Sequence, residues 1–203
     1  NDGREIHYRF RKLPGVDRNP ILEIIKSLGL ADKLSYDKFI PAAYLNASAD
    51  QRRALLLGLM DTDGTAGKEG GCDYSTSSHT LANDVVKLVR SLGGRAWIAH
   101  EQKCYTYKGK KLAGKPSCRV RIAMKHTRDL FTLPKKRNRV MRDNQYSEYF
   151  KLSVTSAECI GEKRAVCISI DHPEQLYVTN DYVVTHNTLV SLLAASELGL
   201  RLG

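Results

Sequence analysis

The chain has 203 residues, of which 42% are hydrophobic, so it is long enough to bury the core of one large domain or two small ones. The longest apolar candidate for a membrane span, TLVSLLAASELGL near the C-terminal end, is interrupted by Ser and Glu. It falls short of the roughly 20 apolar residues that cross a bilayer, so we expect no membrane role. The formal net charge is +10, and the basic residues are unevenly distributed.

The basic excess is concentrated between Arg95 and Arg142. Fifteen Lys and Arg residues lie in that segment, against only Glu101 and Asp129, which gives it a charge of +13. A field of this sign predicts binding of a polyanion such as DNA, and a solvated basic surface is the alternative interpretation. Five cysteines without a C-x-x-C spacing indicate a reduced, cytosolic protein.

Three segments show apolar residues at helical spacing. The first, ILEIIKSLGL, follows Pro20 and ends at Gly29. The second opens with a capping box formed by Ser48 and Gln51 and can end at Gly64. The third, TLANDVVKLVRSL, is followed by a Gly-Gly pair that predicts its end.

Segments with strand composition surround the third helix. YSTSS precedes it, RAWIA and CYTY follow it, and CRVRIAMK alternates between apolar and basic residues. The alternation predicts one packed face and one basic face, which carries Arg119, Arg121 and Lys125. From Lys151 onward, KLSVTSAECI, AVCISI, QLYVT and DYVVTHN predict short strands of a small all-β unit.

Two carboxylates stand at the C-terminal edge of the second helix. Asp61 and Asp63 follow its apolar run, where negative charge opposes the helix dipole. A divalent metal is one explanation for this placement, because hard carboxylate oxygens suit Mg²⁺, and metals of this kind promote phosphodiester cleavage. A helix-terminating Asp-Thr-Asp-Gly turn is the alternative.

The stretch LLGLMDTDG resembles the LAGLIDADG motif of homing endonucleases, and the likeness runs from about residue 20 to about residue 145. In that family two such helices pack through small residues, each brings its final acidic residue to the metals, and saddle-shaped sheets hold the DNA major groove. The resemblance implies an α+β domain of αββαββα order over residues 1–148. Only one such motif is present, whereas a single-chain enzyme of this family has two, so we expect this region to be the second half; the partner motif lies upstream, is supplied by a second copy, or is lost.

The same resemblance assigns candidate site residues. It implies that Asp63 is a ligand of Mg²⁺, that Asp61 is a helix-end residue, and that Lys135 or Lys136 lies near the cleaved phosphate. A β-ribbon can enter the major groove and present side chains from one face. The basic strand residues Arg119, Arg121 and Lys125 are therefore candidates for contacting double-stranded DNA.

The segment AVCISIDHPEQLYVTNDYVVTHNT resembles the two final motifs of inteins in register, and a LAGLIDADG module is a usual insertion in that family. The resemblance implies that residues 149–187 are the C-terminal part of an all-β Hint (hedgehog/intein) splicing domain. Splicing requires no cofactor. It does require an upstream intein half and N-extein, which we expect as partners, and the protein is expected to be cytoplasmic, encoded by a bacterium or phage.

The chemistry of intein cleavage explains why His, Asn and Thr stand together at this junction. The Asn187 side-chain amide can attack its own main-chain carbonyl, which closes a succinimide and breaks the bond to Thr188. His186 is the candidate general acid for the departing amine, because a pKa near 6.5 lets it exchange protons at neutral pH. The hydroxyl of Thr188 can receive the upstream acyl group as an ester.

Cys167 lies inside the apolar segment AVCISI, where a small buried hydrophobe is one interpretation. A Cys at this position, with Thr185 immediately before the His-Asn pair, resembles the class 3 inteins. In that class the internal thiolate attacks the upstream junction directly and hands the acyl group to Thr188. A histidine that is common in this motif is absent, and Gln175 stands near its place. The class 1 and class 3 splicing routes both stay open.

Residues 188–203 are predicted to be a helical C-extein, and their Thr-Leu start resembles the helix after a P-loop. An upstream G-x-x-x-x-G-K joined to Thr188 would complete a phosphate-binding motif, so the host is expected to be a helicase-like ATPase. Two alternatives remain. One is a LAGLIDADG-derived DNA-binding protein without catalysis, and the other is the amino-terminal part of an ATPase, against which the absence of G-x-x-x-x-G-K argues.

Overall fold

The computed structural model describes residues 14–15, 18–142, 156, 158–159, 161–162, 164, 166 and 168–186. Its elements in chain order are α1 (Pro20–Ser27), α2 (Ala42–Leu45), α3 (Ala49–Asp63), β1 (Gly64–Ala66), β2 (Cys72–Thr76), α4 (His79–Ser91), β3 (Arg95–Tyr107), β4 (Lys110–Ala123), α5 (Pro134–Arg137), β5 (Leu176–Val178) and β6 (Val184–His186). Short 3-10 helices lie at Thr127–Leu130 and Asn180–Tyr182. From α3 to α5 the order is αββαββα, as the sequence predicts.

The boundaries of α3 follow from its sequence. The Ser48 hydroxyl accepts from the Gln51 N–H at 3.3 Å and the Gln51 side chain accepts from the Ser48 N–H at 3.2 Å, which confirms the capping box. At the other end a side chain at Gly64 would collide with the carbonyl oxygen of Met60. A residue without a Cβ therefore lets the chain turn directly from the helix into β1.

The third predicted helix is α4, which is capped by the Ser78 hydroxyl through the Leu81 N–H at 3.1 Å. The same hydroxyl donates to the Lys38 carbonyl at 2.6 Å, so the cap also anchors the segment that precedes α2. The helix ends before Gly93, which adopts a φ of 79° that favours glycine.

Four antiparallel strands form one sheet in the order β1-β2-β4-β3. The segments RAWIA and CYTY were predicted as separate strands, and that division is wrong. They belong to the single strand β3, because β4 is 14 residues long and pairs with both, across a register shift between Gln102 and Cys104. The long β3–β4 pair extends well beyond the helices that cover the sheet.

The core lies between the helices and one face of the sheet. Its most deeply buried large side chains include Leu56, Met60, Tyr74, Val85, Leu88, Val89, Val120, Phe131 and Val140. In β4, Cys118, Val120 and Ile122 are buried whereas Arg121 is exposed, so the predicted alternation is confirmed. We call residues 40–140, which contain this core, the helix–sheet unit.

The C-terminal hairpin consists of β5 and β6, joined by the turn at residues 179–183. Its strands lie within QLYVT and DYVVTHN, two of the four segments that were predicted to form strands. Val166 and residues 168–170 of AVCISI carry no strand in the described structure, so that prediction is wrong there. Both described sheets are formed by other segments, and KLSVTSAECI lies mostly outside the described residues. Within the described parts of the chain, no helix is long and apolar enough to cross a bilayer.

Candidate functional site

The Asp61 carboxylate fastens α3 to the start of α5. It accepts hydrogen bonds from the backbone N–H groups of Thr132, at 3.0 Å and 3.2 Å, and of Leu133, at 3.2 Å. The Thr132 hydroxyl also donates to it. These donors stand 71 and 72 residues away in the chain, so Asp61 is a long-range structural contact.

The pKa of Asp61 is set by two opposing effects. Partial burial acts to raise it, and the hydrogen bonds from the Thr132 side chain and the Thr132 and Leu133 backbone, with the nearby Lys136 charge, act to lower it. The net pKa lies below the usual aspartate value. The carboxylate therefore remains ionised and engaged at neutral pH.

The Lys136 ammonium group caps the C-terminal end of α3. Its Nζ lies within hydrogen-bond distance of four carbonyl oxygens, those of Met60 at 2.9 Å, Asp61 at 2.8 Å, Thr62 at 3.1 Å and Gly64 at 2.6 Å. A cation here interacts favourably with the helix dipole. It offsets the unfavourable position of two acidic residues in the last turn.

Asp63 is the exposed carboxylate of the pair. It is the last residue of α3, at the step into β1. Burial, together with the negative charge of Asp63, raises the pKa of the neighbouring Tyr74 hydroxyl to about 12. The structure thus separates the two acids, because Asp61 is held by backbone donors and Asp63 faces solvent.

The two lysine candidates also differ. Lys135 is exposed on α5, whereas Lys136 is half-buried and directs its ammonium group at the end of α3. Lys136 lies close to Asp63 in space, because it contacts the carbonyls on both sides of that residue.

The solvent-facing side of the sheet carries the candidate DNA contacts. Arg121 is exposed and stands in register between Asp73 of β2 and Trp97 of β3, which is 47% exposed. Arg119 is half-buried by ion pairs, to Glu101 at 3.0 Å and to Asp73 at 4.0 Å. This face therefore presents Arg121 and an aromatic ring together, while Arg119 is held within the sheet.

Lys125 lies outside this face. Strand β4 ends at Ala123, and Lys125 is exposed in the turn before the 3-10 helix at Thr127–Leu130. The alternation that placed it with Arg119 and Arg121 does not extend past the strand, because the chain leaves the extended conformation there.

One face of α3 is exposed and lined by small residues. Ala54, Gly58 and Thr62 recur at intervals of four residues and are all exposed, and a Cβ built on Gly58 would contact nothing within 4 Å. An open groove of about 670 Å³ continues this face, lined by Ala43, Tyr44, Ala47, Gln51, Ala54 and Leu55. The helix therefore packs on the core through its leucine and methionine side, with Leu56 and Met60 buried, and leaves this face of small residues open to solvent.

The junction residues are described up to His186. Thr185 pairs with Tyr177 and His186 pairs with Leu176 across the C-terminal hairpin, and both are half-buried. Cys167, Asn187 and Thr188 lie outside the described residues. The hairpin therefore holds His186, the residue before Asn187, at the end of a paired strand.

Comparison with known families decides the nature of the helix–sheet unit. A model of the LAGLIDADG-like domain matches residues 50–133. This part of the chain is a LAGLIDADG-like domain. The match begins in α3 and ends just before α5, so it includes both aspartates and the whole four-stranded sheet.

Curated relatives extend the similarity beyond this domain. A protein named replicative DNA helicase DnaB from Mycobacterium intracellulare is 30% identical over 165 residues, covering 77% of this chain and 27% of the relative. One with the same name from Nostoc sp. is 33% identical over 120 residues, covering 56% of this chain and 13% of the relative. The chain thus corresponds to about a quarter or less of these proteins and is homologous to them.

Several contacts at the site are absent from the sequence predictions. The donors at residues 132–133, the acidic partners of Arg119, and a group formed by His79, His100 and Cys118 all join residues that are distant in the chain. Periodicity describes single elements and carries no signal for such contacts. The register of β2, β3 and β4 and the packing of the helices on the sheet bring them together.

Proposed function

We propose that the chain is the C-terminal part of an intein inserted in a replicative DNA helicase, and that it combines protein splicing with a LAGLIDADG-type homing endonuclease domain. Two observations support the intein context. The similarity to the Mycobacterium intracellulare helicase covers 77% of the chain, more than the domain at residues 50–133. The chain also contains a His-Asn-Thr sequence whose histidine, His186, is the last residue of a described β-hairpin.

The exposed Asp63 carboxylate at the end of α3 is the observation on which the nuclease proposal rests. A Mg²⁺ site in proteins takes one or two carboxylates and keeps water and phosphate oxygens as its other ligands. Asp63 fits that requirement as one hard, solvent-facing donor, whereas Asp61 is engaged by backbone N–H groups. When bound, the metal supplies an activated water and stabilises the leaving oxygen.

A companion LAGLIDADG helix completes this site in the proposal. The small-residue face of Ala54, Gly58 and Thr62 is exposed and would let a second helix approach closely. That helix would bring its own final carboxylate next to Asp63. We propose that the upstream part of the intein supplies it, since the chain itself carries one such motif.

DNA binding is proposed for the solvent-facing side of the sheet. Arg121 offers a guanidinium group that can contact guanine edges or phosphates, and the exposed Lys135 stands on α5, next to the Lys136 that caps α3. Trp97 adds an exposed aromatic surface beside Arg121. The +13 charge of residues 95–142 favours the approach of a polyanion.

The nuclease test compares two neighbouring aspartates in the intein reassembled from this chain and its upstream half. Asp63→Asn should abolish Mg²⁺-dependent cleavage of a plasmid that carries the uninterrupted helicase gene, and it should spare DNA binding. Asp61→Asn is the matched control, because it changes the same charge two residues away. Unchanged cleavage by Asp63→Asn would refute the assignment.

A LAGLIDADG-derived DNA-binding protein without catalysis is the second candidate, and the Arg121 and Trp97 surface supports it by itself. It predicts salt-dependent DNA affinity, which Arg121→Ala weakens, and no metal-dependent cutting by the reassembled protein. The cleavage assay with and without Mg²⁺ therefore separates the two candidates.

Cleavage at the downstream junction is proposed to occur by cyclisation of Asn187. Its side-chain nitrogen attacks its own main-chain carbonyl carbon, the C–N bond to Thr188 breaks, and the departing nitrogen takes up a proton to become the free amine. His186 supplies or relays that proton, and the hairpin pairing with Leu176 orients its backbone. The products are a succinimide at Asn187 and a new amino terminus at Thr188.

Transfer of the upstream chain is proposed to run through Cys167 to Thr188. The Cys167 thiolate attacks the carbonyl at the upstream junction and releases the intein amine, and the resulting thioester is passed to the Thr188 hydroxyl. After Asn187 cyclises, the amine of Thr188 attacks the ester and forms the peptide bond. Cys167→Ser tests this route, because upstream cleavage should disappear if Cys167 is the first nucleophile and persist if it is a buried core residue.

Mass spectrometry of the intact purified chain at neutral pH tests the downstream step. Loss of residues 188–203 with a succinimide at Asn187 is the expected product, and Asn187→Ala should not release this segment. Release from Asn187→Ala at the same rate would overturn the role of Asn187. If the wild-type chain stays whole, the measurement is repeated after adding the upstream half, and failure there would refute splicing.

A further inference from the structure

Three potential metal ligands meet on the helix-covered side of the sheet, away from Asp63. Cys118 lies in β4, His100 is its direct cross-strand neighbour in β3, and His79 is the first residue of α4. The Cys118 thiol is buried, and the two imidazole rings are exposed. The group is therefore assembled from three elements and opens to solvent on one side.

The distances within this group match those of a metal centre. Cys118 Sγ is 3.5 Å from His79 Nδ1 and 3.8 Å from His100 Nδ1. In a tetrahedral zinc site with a Zn–S bond of about 2.3 Å and a Zn–N bond of about 2.0 Å, sulfur and nitrogen ligands stand about 3.5 Å apart. One observed separation equals that value and the other exceeds it slightly.

The arrangement of the rings agrees with convergence on one point. The three potential ligand atoms all lie within 4.8 Å of one another. The rings of His79 and His100 are stacked, with centroids 5.3 Å apart and an interplanar angle of 29°. Two adjacent imidazoles therefore present the same ring nitrogen, Nδ1, to one sulfur.

We propose that His79, His100 and Cys118 bind one zinc ion or a similar borderline divalent cation, with a fourth position open to water. Thiolate and imidazole donors select such ions and disfavour Mg²⁺ and Ca²⁺, which prefer oxygen. The exposed rings leave the fourth position accessible from solvent. This site is independent of the nuclease and splicing proposals, since it shares no residue with either.

The site has a structural consequence for the opposite face of the sheet. Cys118 is adjacent to Arg119, and its two strand neighbours are Thr76 of β2 and His100 of β3. A bound ion would tie the start of α4 to β3 and β4. It would thereby hold the strand that carries Arg119 and Arg121.

The proton of Cys118 is lost when zinc binds. Burial raises the pKa of the Cys118 thiol, so the metal-free group is protonated at neutral pH. Coordination replaces this proton with the metal, and the proton passes to solvent. The thiolate then offsets part of the positive charge that the ion brings to the first turn of α4.

The test uses Co²⁺ as a spectroscopic probe of the full chain after treatment with a chelator. One cobalt ion per chain should bind and give a thiolate-to-cobalt charge-transfer band in the near ultraviolet, and Zn²⁺ should displace it. Cys118→Ser should lose the band. Cys104→Ser and Cys159→Ser are matched controls, because both replace exposed cysteines and should keep it.

Two further variants keep the proposal falsifiable if Cys118→Ser fails to fold, since Cys118 is buried. His79→Gln and His100→Gln replace exposed side chains, so both should fold, as circular dichroism can verify, and both should bind cobalt more weakly. His126→Gln, at another exposed histidine, should leave the charge-transfer band unchanged. Absence of the band from the wild-type chain, or a full band in the double variant of His79 and His100, would overturn the site.

Discussion

The helix–sheet unit and the C-terminal hairpin differ in what covers their apolar residues. In the unit, Met60 and Val120 are fully buried between helices and sheet. In the hairpin no residue from 176 to 186 is buried, and the side chains of Val178 and Val184 are 60% and 59% exposed. A two-stranded hairpin is at best marginally stable in water. The difference shows that the unit has a core of its own and that the described residues give the hairpin none. Under the proposed function, the upstream half of the intein covers the hairpin.

The largest predicted effect is the loss of stability when a buried residue of the unit is truncated, compared with an exposed residue of the hairpin. Met60→Ala should lower the free energy of unfolding by about 2–5 kcal/mol, because it empties a fully buried position. Val178→Ala should change it by less than about 0.5 kcal/mol. Urea unfolding followed by circular dichroism measures both. If the upstream half packs on the hairpin, the cost of Val178→Ala should rise in its presence, and a cost that stays negligible there would contradict the missing-partner interpretation.

The next effect concerns the two aspartates of α3. Asp61→Ala leaves the N–H groups of Thr132 and Leu133 without their acceptor, so it should lower the free energy of unfolding by about 1–3 kcal/mol. Asp63→Ala removes an exposed carboxylate and should change stability by less than about 0.5 kcal/mol. Equal effects of the two substitutions in the same unfolding assay would show that Asp61 is not a structural contact.

A smaller effect is expected from pH. The folded pKa of Asp61 is lowered by its hydrogen bonds, so the unfolded chain binds this proton more readily than the folded chain. The stabilisation is present above the usual aspartate pKa of about 3.9 and is lost as pH falls below it toward the folded pKa. Unfolding curves from pH 6 to pH 2 should show that the free energy of unfolding falls less steeply with pH in Asp61→Asn than in the wild-type chain. Parallel declines would show that Asp61 does not contribute to the pH dependence.

The smallest effect tests the link between the two regions. Arg90 of α4 pairs with Asp181 in the hairpin turn at 2.6 Å, and both side chains are partly solvated. A double-mutant cycle of Arg90→Ala and Asp181→Ala should give a coupling of about 0.2–1 kcal/mol that decreases in high salt. The cycle is needed because Arg90 also donates to the Ala96 carbonyl at 3.1 Å. A coupling unaffected by salt would exclude an exposed ion pair.

The sequence predicted α3 and α4 of the unit well, since each is encoded by adjacent residues, whereas the short helices α2 and α5 carried no such pattern. Ser48 and Gln51 define the start of α3, Gly64 permits its end, and alternation in β4 separates Val120 from Arg121. Prediction was weaker where two segments had to be joined. RAWIA and CYTY read as two strands because a bulge interrupts their pattern, and only pairing with β4 makes them one.

The sequence by itself determined helices α3 and α4 and the basic side of β4, because these depend on local spacing and on the chemistry of single side chains. The order αββαββα followed from the resemblance to the LAGLIDADG family, and the His-Asn-Thr junction stays a prediction. Tertiary structure decided which aspartate is held and which is open, that Lys136 caps α3, and that His79, His100 and Cys118 meet. These contacts join residues that are 18 to 76 positions apart in the chain. Their partners are chosen by strand register and helix packing, which no local pattern encodes.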